Sequence, residues 1–405
     1  MNIVNTIKSL FSKSEKNFFL LFLSYEIRNV GSNMLGVFSA FFVYLQFGQS
    51  LKMTLAYFLI SSAVMILILP LGGRMMSLLG PKKSIIIGSI CLALSNISFI
   101  FWSNDLYLWM FINIVFLTLS RILFRMPFRI NLALNTTTGN RGFEIGSIRS
   151  ILSLLNIFLP FMAGLVINFF GFTGLFIVTT FFYLLSIIPL LNLSTTKLDY
   201  SYSYMETFFK CFSKAYIKDF FIHFLEGCET IFSLIIWPII IVLIFNNDFE
   251  FLGIFTSLTL ITTFFINLII GKLSDKDQNH KILKAGSFLY GFGWLLKLFA
   301  ISDINIFLAI VYQNIAESIM KTPYESYWYN KEADKGDEIG GYIVIREIAI
   351  YSGKVFMAFV LIILLTYFNT TPKDTMIIGF ACFAIIGLLV GKNTVFFKWD
   401  NINSR

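Results

Sequence analysis

The sequence is poor in charge, histidine and cysteine, and each shortage removes a class of protein from consideration. Only 13% of its 405 residues are Asp, Glu, Lys or Arg, about half the share in a soluble domain, which excludes an ordinary soluble fold. The two histidines, His223 and His280, lie far apart, so the His-rich or Asp-rich loops of membrane-embedded enzymes are missing. Four scattered cysteines (Cys91, Cys211, Cys228, Cys382) fall mostly inside apolar runs, which fits packing better than disulfides or a metal site. A glycine-rich phosphate cradle is also missing, which argues against an ATP-driven pump. Strand-type alternation is absent, and with it the pattern of an outer-membrane barrel.

What remains is hydrophobic. The composition is 57% hydrophobic with 48 Phe, and the mean hydropathy is +0.78. Apolar runs near twenty residues recur along the chain, each long enough for a helix to cross about 30 Å of hydrocarbon. They are apolar all round rather than striped, as expected where lipid covers the outer face. The first run follows Lys8, Lys13 and Lys16 and could pass for a secretory signal, but it is too long and is interrupted by Glu26 and Arg28. It reads as the first spanning helix.

Hydropathy and Gly, Pro and charge punctuation give about twelve spans, near 18–47, 52–79, 83–102, 106–132, 145–170, 172–193, 219–245, 251–273, 283–301, 304–328, 340–367 and 375–396. An even number puts both termini on one side. With the N-terminus inside, the cytoplasmic segments collect nearly all loop Lys and Arg, whereas the external loops keep little beyond Lys52 and Lys373. That asymmetry predicts both termini in the cytoplasm and an inner-membrane location. It also accounts for the net charge of +8 without any nucleic acid.

The longest polar stretch divides the spans six and six, giving an N-terminal bundle at 1–193, a cytoplasmic linker at 194–218 and a C-terminal bundle at 219–405. The halves resemble one another. "YLQFGQS" matches "VLIFNND", "LGGRMMSLLG" matches "IIGKLSDKDQ", "RMPF" matches "KTPY", and "EIGSIRS" matches "EIGGYIVIRE". The matches keep their order at an offset of about two hundred residues, as parallel structural repeats do.

"GKLSDK", with Gly271, Leu273 and Asp275 in place, resembles the signature loop between the second and third helices of the major facilitator superfamily. The first-half copy keeps Gly73, Gly80, Lys82 and Lys83 but has Ser77 where that family has aspartate. The resemblance implies an all-α polytopic fold of about twelve transmembrane helices in two pseudo-symmetric six-helix bundles. It also implies a cytoplasmic gate at Gly73, Ser77, Gly80, Gly271 and Asp275. Glycines allow the tight turn, and a carboxylate there can pair with a cation of a neighbouring helix. Arg125 and Lys321, at the inner ends of the fourth and tenth spans, are the candidate partners. The plainer alternative is a solvated loop whose charges follow topology. "LTLSR" and "PFMAG" are partial matches to the fourth- and fifth-helix motifs of the superfamily's proton-coupled members and antiporters.

An ionisable side chain at bilayer depth costs about 2.5–3.5 kcal/mol on insertion scales, so it marks a cavity or a partner. Span one carries Glu26, with Asn29 and Asn33 on the same helical face; span four carries Arg121 and Arg125, and span seven carries Glu226 and Glu229. Span ten carries a stripe of Gln313, Asn314, Glu317 and Lys321. In the family resembled, spans one, four, seven and ten line the central cavity. A substrate or proton-coupling role is therefore expected for Glu26, Asn29, Asn33, Arg121, Glu226, Glu229, Gln313, Asn314 and Glu317. The structural alternative is ion pairing, Glu317 with Lys321 or Glu226 with Arg121. Arg149 and Arg346 occupy matched repeat positions and, with Glu347, suggest bracing of the bundle, while Lys354 lies deeper. Tyr324, Tyr327, Trp328 and Tyr329 read as an interfacial belt.

The expectation is a monomeric secondary transporter in the lipid bilayer. It would carry a small zwitterionic or anionic solute by alternating access, coupled to a proton or another ion, with no cofactor, metal or enzymatic activity. An efflux antiporter for amphipathic compounds, a lipid flippase and a transporter-shaped receptor are the rivals.

Overall fold

The structure, a computed structural model, describes residues 13–135, 141–193, 202–245, 248–273, 279–297, 303–333, 335 and 338–367. Every regular element among them is a helix. In chain order these are α1 (Lys13–Gln46), α2 (Leu51–Leu79), α3 (Pro81–Ser98), α4 (Leu106–Asn135), α5 (Arg141–Leu185), α6 (Ile187–Leu191), α7 (Tyr204–Cys211), α8 (Ile217–Ile231), α9 (Trp237–Ile244), α10 (Phe249–Leu273), α11 (Asn279–Leu296), α12 (Asp303–Ala333) and α13 (Ile339–Tyr367). A π turn, Phe232–Ile236, joins α8 to α9. The first eleven expected spans each find their helix, with ends shifted by a few residues; the twelfth, 375–396, lies outside the described residues.

Local chemistry sets the boundaries. The Ser50 hydroxyl accepts the Met53 N–H at 3.3 Å and starts α2. Gly80, at φ +74°, stops it, and Pro81 opens α3 in the first turn, where a missing N–H costs nothing. Spans five and six, expected on either side of residue 171, follow one another within α5 and are divided at Gly171, where φ is +66°. Pro238 sits in the first turn of α9 and cannot donate to the carbonyl of Leu234, and the helix widens there into the π turn. The linker is not wholly a loop. Ser203 and Glu206 form a capping box that starts α7, and Cys211 and Thr207 anchor it by burial.

Among the described residues, six helical stretches are long and apolar enough to cross a membrane. Their outer faces expose large apolar side chains such as Leu67, Phe111, Phe170 and Phe181, as an integral membrane protein requires. α1 and α12, 34 and 31 residues long, have the length but carry the ionisable residues.

The packing repeats. α2 lies along α13, and α5 along α10. Exchanging equivalent spans of the two halves turns one of these contacts into the other, so they are symmetry-related seams. Within each half the third and fourth spans close on a glycine: a Cβ on Gly88 would sit 2.9 Å from the Phe124 nitrogen, and one on Gly286 2.7 Å from the Met320 nitrogen. At the α5–α10 seam the glycines are reciprocal, Gly164 against the Phe249 carbonyl and Gly253 against the Pro160 carbonyl. No larger residue lets two backbones approach so closely.

The core is unevenly distributed. One large apolar cluster joins both halves at one end, with Met34, Phe38 and Phe41 of α1 against Ile235, Ile236 and Ile239 of α8–α9 and Leu252 and Phe255 of α10. A second follows the α2–α13 seam, from Met65 and Met76 to Ile343 and Tyr351, and takes in Tyr202, Cys211 and Tyr216 of the linker. The ionisable residues of the spans lie between and beside these clusters.

Candidate functional site

α8 presents a row of polar side chains. Asp219 accepts from Lys331 Nζ at 2.7 Å and from the Tyr342 hydroxyl at 2.8 Å. Glu226 Oε2 lies 2.9 Å from His223 Nδ1 and accepts from the Tyr324 hydroxyl at 3.0 Å. Glu229, just before the π turn, accepts from the Tyr290 hydroxyl of α11 at 2.8 Å. Glu317, Lys321 and Lys297 all act electrostatically on Glu229.

The α12 stripe faces this group. Glu317 and Lys321 pair along their own helix, as i,i+4 spacing allows. Gln313 is 4% exposed, and Gly293 of α11 leaves room for it, since a Cβ there would run into its Oε1. Lys297, buried at the end of α11, stacks over Trp294 at 3.8 Å and Trp237 at 4.6 Å; cation–π attraction stands in for water at such a site.

Cations gather on the other side. Arg28 of α1 donates to the Ser120 hydroxyl at 3.2 Å and lies 3.7 Å over the Phe124 ring, both on α4. Arg125 of α4 reaches Glu347 of α13 at 3.7 Å. Arg121 and Lys354 approach the same ring, Tyr351, at 5.8 and 4.7 Å. Arg346 pairs with Glu332 at 2.5 Å, both nearly buried. Yet several charged side chains stay partly open: Arg125 and Lys321, towards the inner ends of their helices, are each 53% exposed, Glu226 36% and Glu317 32%. Charged groups set among helices yet left partly exposed mark this side of the bundle as polar.

No protein-family model matches the chain, and no curated protein does. Solved structures do match in shape. A POT family transporter in complex with 5-aminolevulinic acid covers 95% of each chain at TM-score 0.65 and 12% identity. A D-xylose-proton symporter covers 94% of this chain and 98% of its own at TM-score 0.65 and 13% identity, and the nucleoside transporter NupG covers 96% and 100% at 0.58 and 13%. The chain has the major facilitator fold.

Within the major facilitator fold, the candidates read from sequence fall into distinct groups. Glu229, Gln313, Glu317 and Lys321 share one neighbourhood in the second half. Arg121, Arg125 and Glu347 meet across the seam. Glu26 is buried in α1, Asn29 is half-buried and Asn33 exposed, and Asn314 is half-buried on α12. Glu226 does not pair with Arg121; its partners are His223 and Tyr324, on its own half. Ser77 bonds the Arg74 carbonyl of its own helix at 2.9 Å, and Arg125 turns to Glu347. Of the gate glycines, Gly73 is buried within α2, Gly80 ends that helix and Gly271 lies in α10. Asp275 lies outside the described residues, as does the side chain of Arg149.

Some site residues had gone unnoticed. Tyr324, Tyr327 and Trp328 are no belt: Trp328 is 1% exposed with the His223 ring 4.3 Å away. Lys297 was detectable as a lone charge in "WLLKLFA", the same signal that marked Glu26. Tyr290 and Trp294 carried none, because aromatic residues are common in every span. A cavity of about 510 Å³ beside α11 and α12, lined by residues including Leu308, Tyr312 and Ile315, has none of the charged residues in its wall.

Proposed function

We propose that the chain is a secondary active transporter moving a small zwitterionic or anionic solute across the cytoplasmic membrane by alternating access, coupled to protons. In this reading residues 1–193 and 219–405 are the moving bundles, 194–218 is the linker, both termini are cytoplasmic and the protein acts as a monomer. One observation carries it: the halves are joined by apolar side chains at one end, while charged groups towards the other end, Arg125 and Lys321 above all, stay exposed. Chain direction and the Lys and Arg asymmetry put the sealed end outside, which makes this conformation inward-open. Fold likeness to a D-xylose-proton symporter and a POT family transporter supports the same reading.

Glu229 and Glu317 are the coupling carboxylates. They act on one another, with Lys321 and Lys297 nearby, so changing hydration as the halves rock would load and unload a proton. The test is solute uptake into proteoliposomes. One unit of pH gradient is worth about 1.4 kcal/mol, roughly tenfold accumulation per proton. Glu229→Gln and Glu317→Gln should abolish that accumulation and keep solute exchange. Uptake indifferent to the gradient would remove proton coupling; no flux for any small polar solute would remove transport.

A further inference from the structure

Where α4 meets α13, cations from both halves face one another, and among the described residues few carboxylates lie with them. Arg121 and Lys354 share the Tyr351 ring and form no ion pair with any described residue. Arg125, one turn along α4, holds Glu347 only at 3.7 Å. Arg28 packs on the same stretch of α4, and its Nη1 is buried without a hydrogen-bond partner. Arg121 and Arg125 both act on Arg28 and on Lys354.

The opposing charges are few. Glu347 is the near one, Glu226 acts on Lys354 from farther away, and Glu332 is taken by Arg346. Among these described residues, four cations thus meet two carboxylates. Like charges crowded inside a bundle are unfavourable unless a counter-charge sits among them, and arginine in particular offers a planar fork matched to carboxylate or phosphate oxygens. The Tyr351 ring, 1% exposed, is a fixed wall that keeps Arg121 and Lys354 in place.

We propose that Arg121, Arg125 and Lys354 bind the doubly charged anionic end of the solute, a phosphate monoester or a dicarboxylate, across the seam between the halves. Arg28 adds to the field from behind. The proposal rests on the transport reading and narrows its solute to a small dianion. Because α4 and α13 belong to different halves, an anion held between them draws the halves together, so binding itself favours closure.

The purified full-length chain is titrated with succinate, glycerol 3-phosphate, neutral glycerol and cationic choline, with thermal midpoint and calorimetry as readouts. One dianion should bind, the choice between succinate and glycerol 3-phosphate identifying the group, and glycerol and choline should not. Arg121→Gln and Lys354→Gln should each weaken that binding at least tenfold, and Arg121→Lys less. Without ligand, both Gln variants should unfold no earlier than wild type, because each relieves repulsion; a merely structural role predicts earlier unfolding. Counterflow of the bound anion in proteoliposomes separates the two readings. Binding without flux leaves the site standing and removes transport. Flux of a neutral or cationic solute unaffected by either substitution, or no binding of either dianion, overturns the site.

Discussion

The reciprocal glycines at the α5–α10 seam set how close the two halves can come, and a single methyl group tests that spacing. A Cβ on Gly253 would lie 2.6 Å from the Pro160 carbonyl oxygen, about 0.8 Å short of an ordinary 3.4 Å contact. Because the neighbour is backbone inside a helix, no rotamer change relieves it, and α5 and α10 must part. Overpacking of this kind costs about 1–3 kcal/mol, so Gly253→Ala should lower the thermal midpoint of the purified protein by roughly a few degrees. Leu258→Ala, on the 48% exposed face of the same helix, supplies the comparison and should change it far less. Gly164→Ala pushes the same two helices apart from the other side, so the double variant should lose less than the sum of the singles. Counterflow should slow in all three glycine variants, since a wedge at the seam hinders the approach of the halves. A Gly253→Ala protein as stable as wild type would refute the reasoning, and strict additivity would mean that the methyls are absorbed locally without displacing the helices.

Two further outcomes are expected. Glu332→Gln leaves buried Arg346 without its counter-charge and should cost about 3–5 kcal/mol, while Glu332→Leu with Arg346→Met should be close to neutral; thermal unfolding of the three proteins decides, and a mild single variant would remove the bracing role. Ser203→Ala removes the α7 cap, worth about 1 kcal/mol, so deuterium exchange across 204–211 should rise roughly fivefold. The Ser203 N–H, then Lys210, holds the Glu206 carboxyl below the usual carboxylate range. Its contribution to α7 is therefore complete above about pH 4.3 and is lost as pH falls through its lower folded value.

Fold was far more legible than site. Membrane spans announce themselves because hydrocarbon leaves helices no alternative, and Gly80 and Pro81 fall where the second span stops and the third starts, whereas the widening before Pro238 was not read. The repeat could be read because short stretches such as "RMPF" and "KTPY" recur in the same order at an offset of about two hundred residues. The boundary between spans five and six was legible because the apolar run is punctuated by Gly171, whose positive φ divides α5 without any polar spacer. At the site, lone charges in apolar runs singled out Glu229, Glu317 and Arg121 as candidates. Their partners could not be read, since Arg125 might meet the loop after α10 or Glu347 equally well on periodicity alone; only the crossing of α4 and α13 decides. Tyr290 and Tyr324 are hydrogen-bond donors hidden among many aromatics, and a sequence gives no sign of which ring faces a carboxylate.

The bend at Gly171 has a mechanical outcome. The two arms of α5 are joined through that one residue. One arm leans on α10 in the opposite half, and the other grips α1, where the Tyr183 ring lies so close to Gly31 that a Cβ would stand 2.8 Å from it. Gly171 is thus the single joint between the arm at the seam and the arm that packs on the helix carrying Glu26 and Arg28.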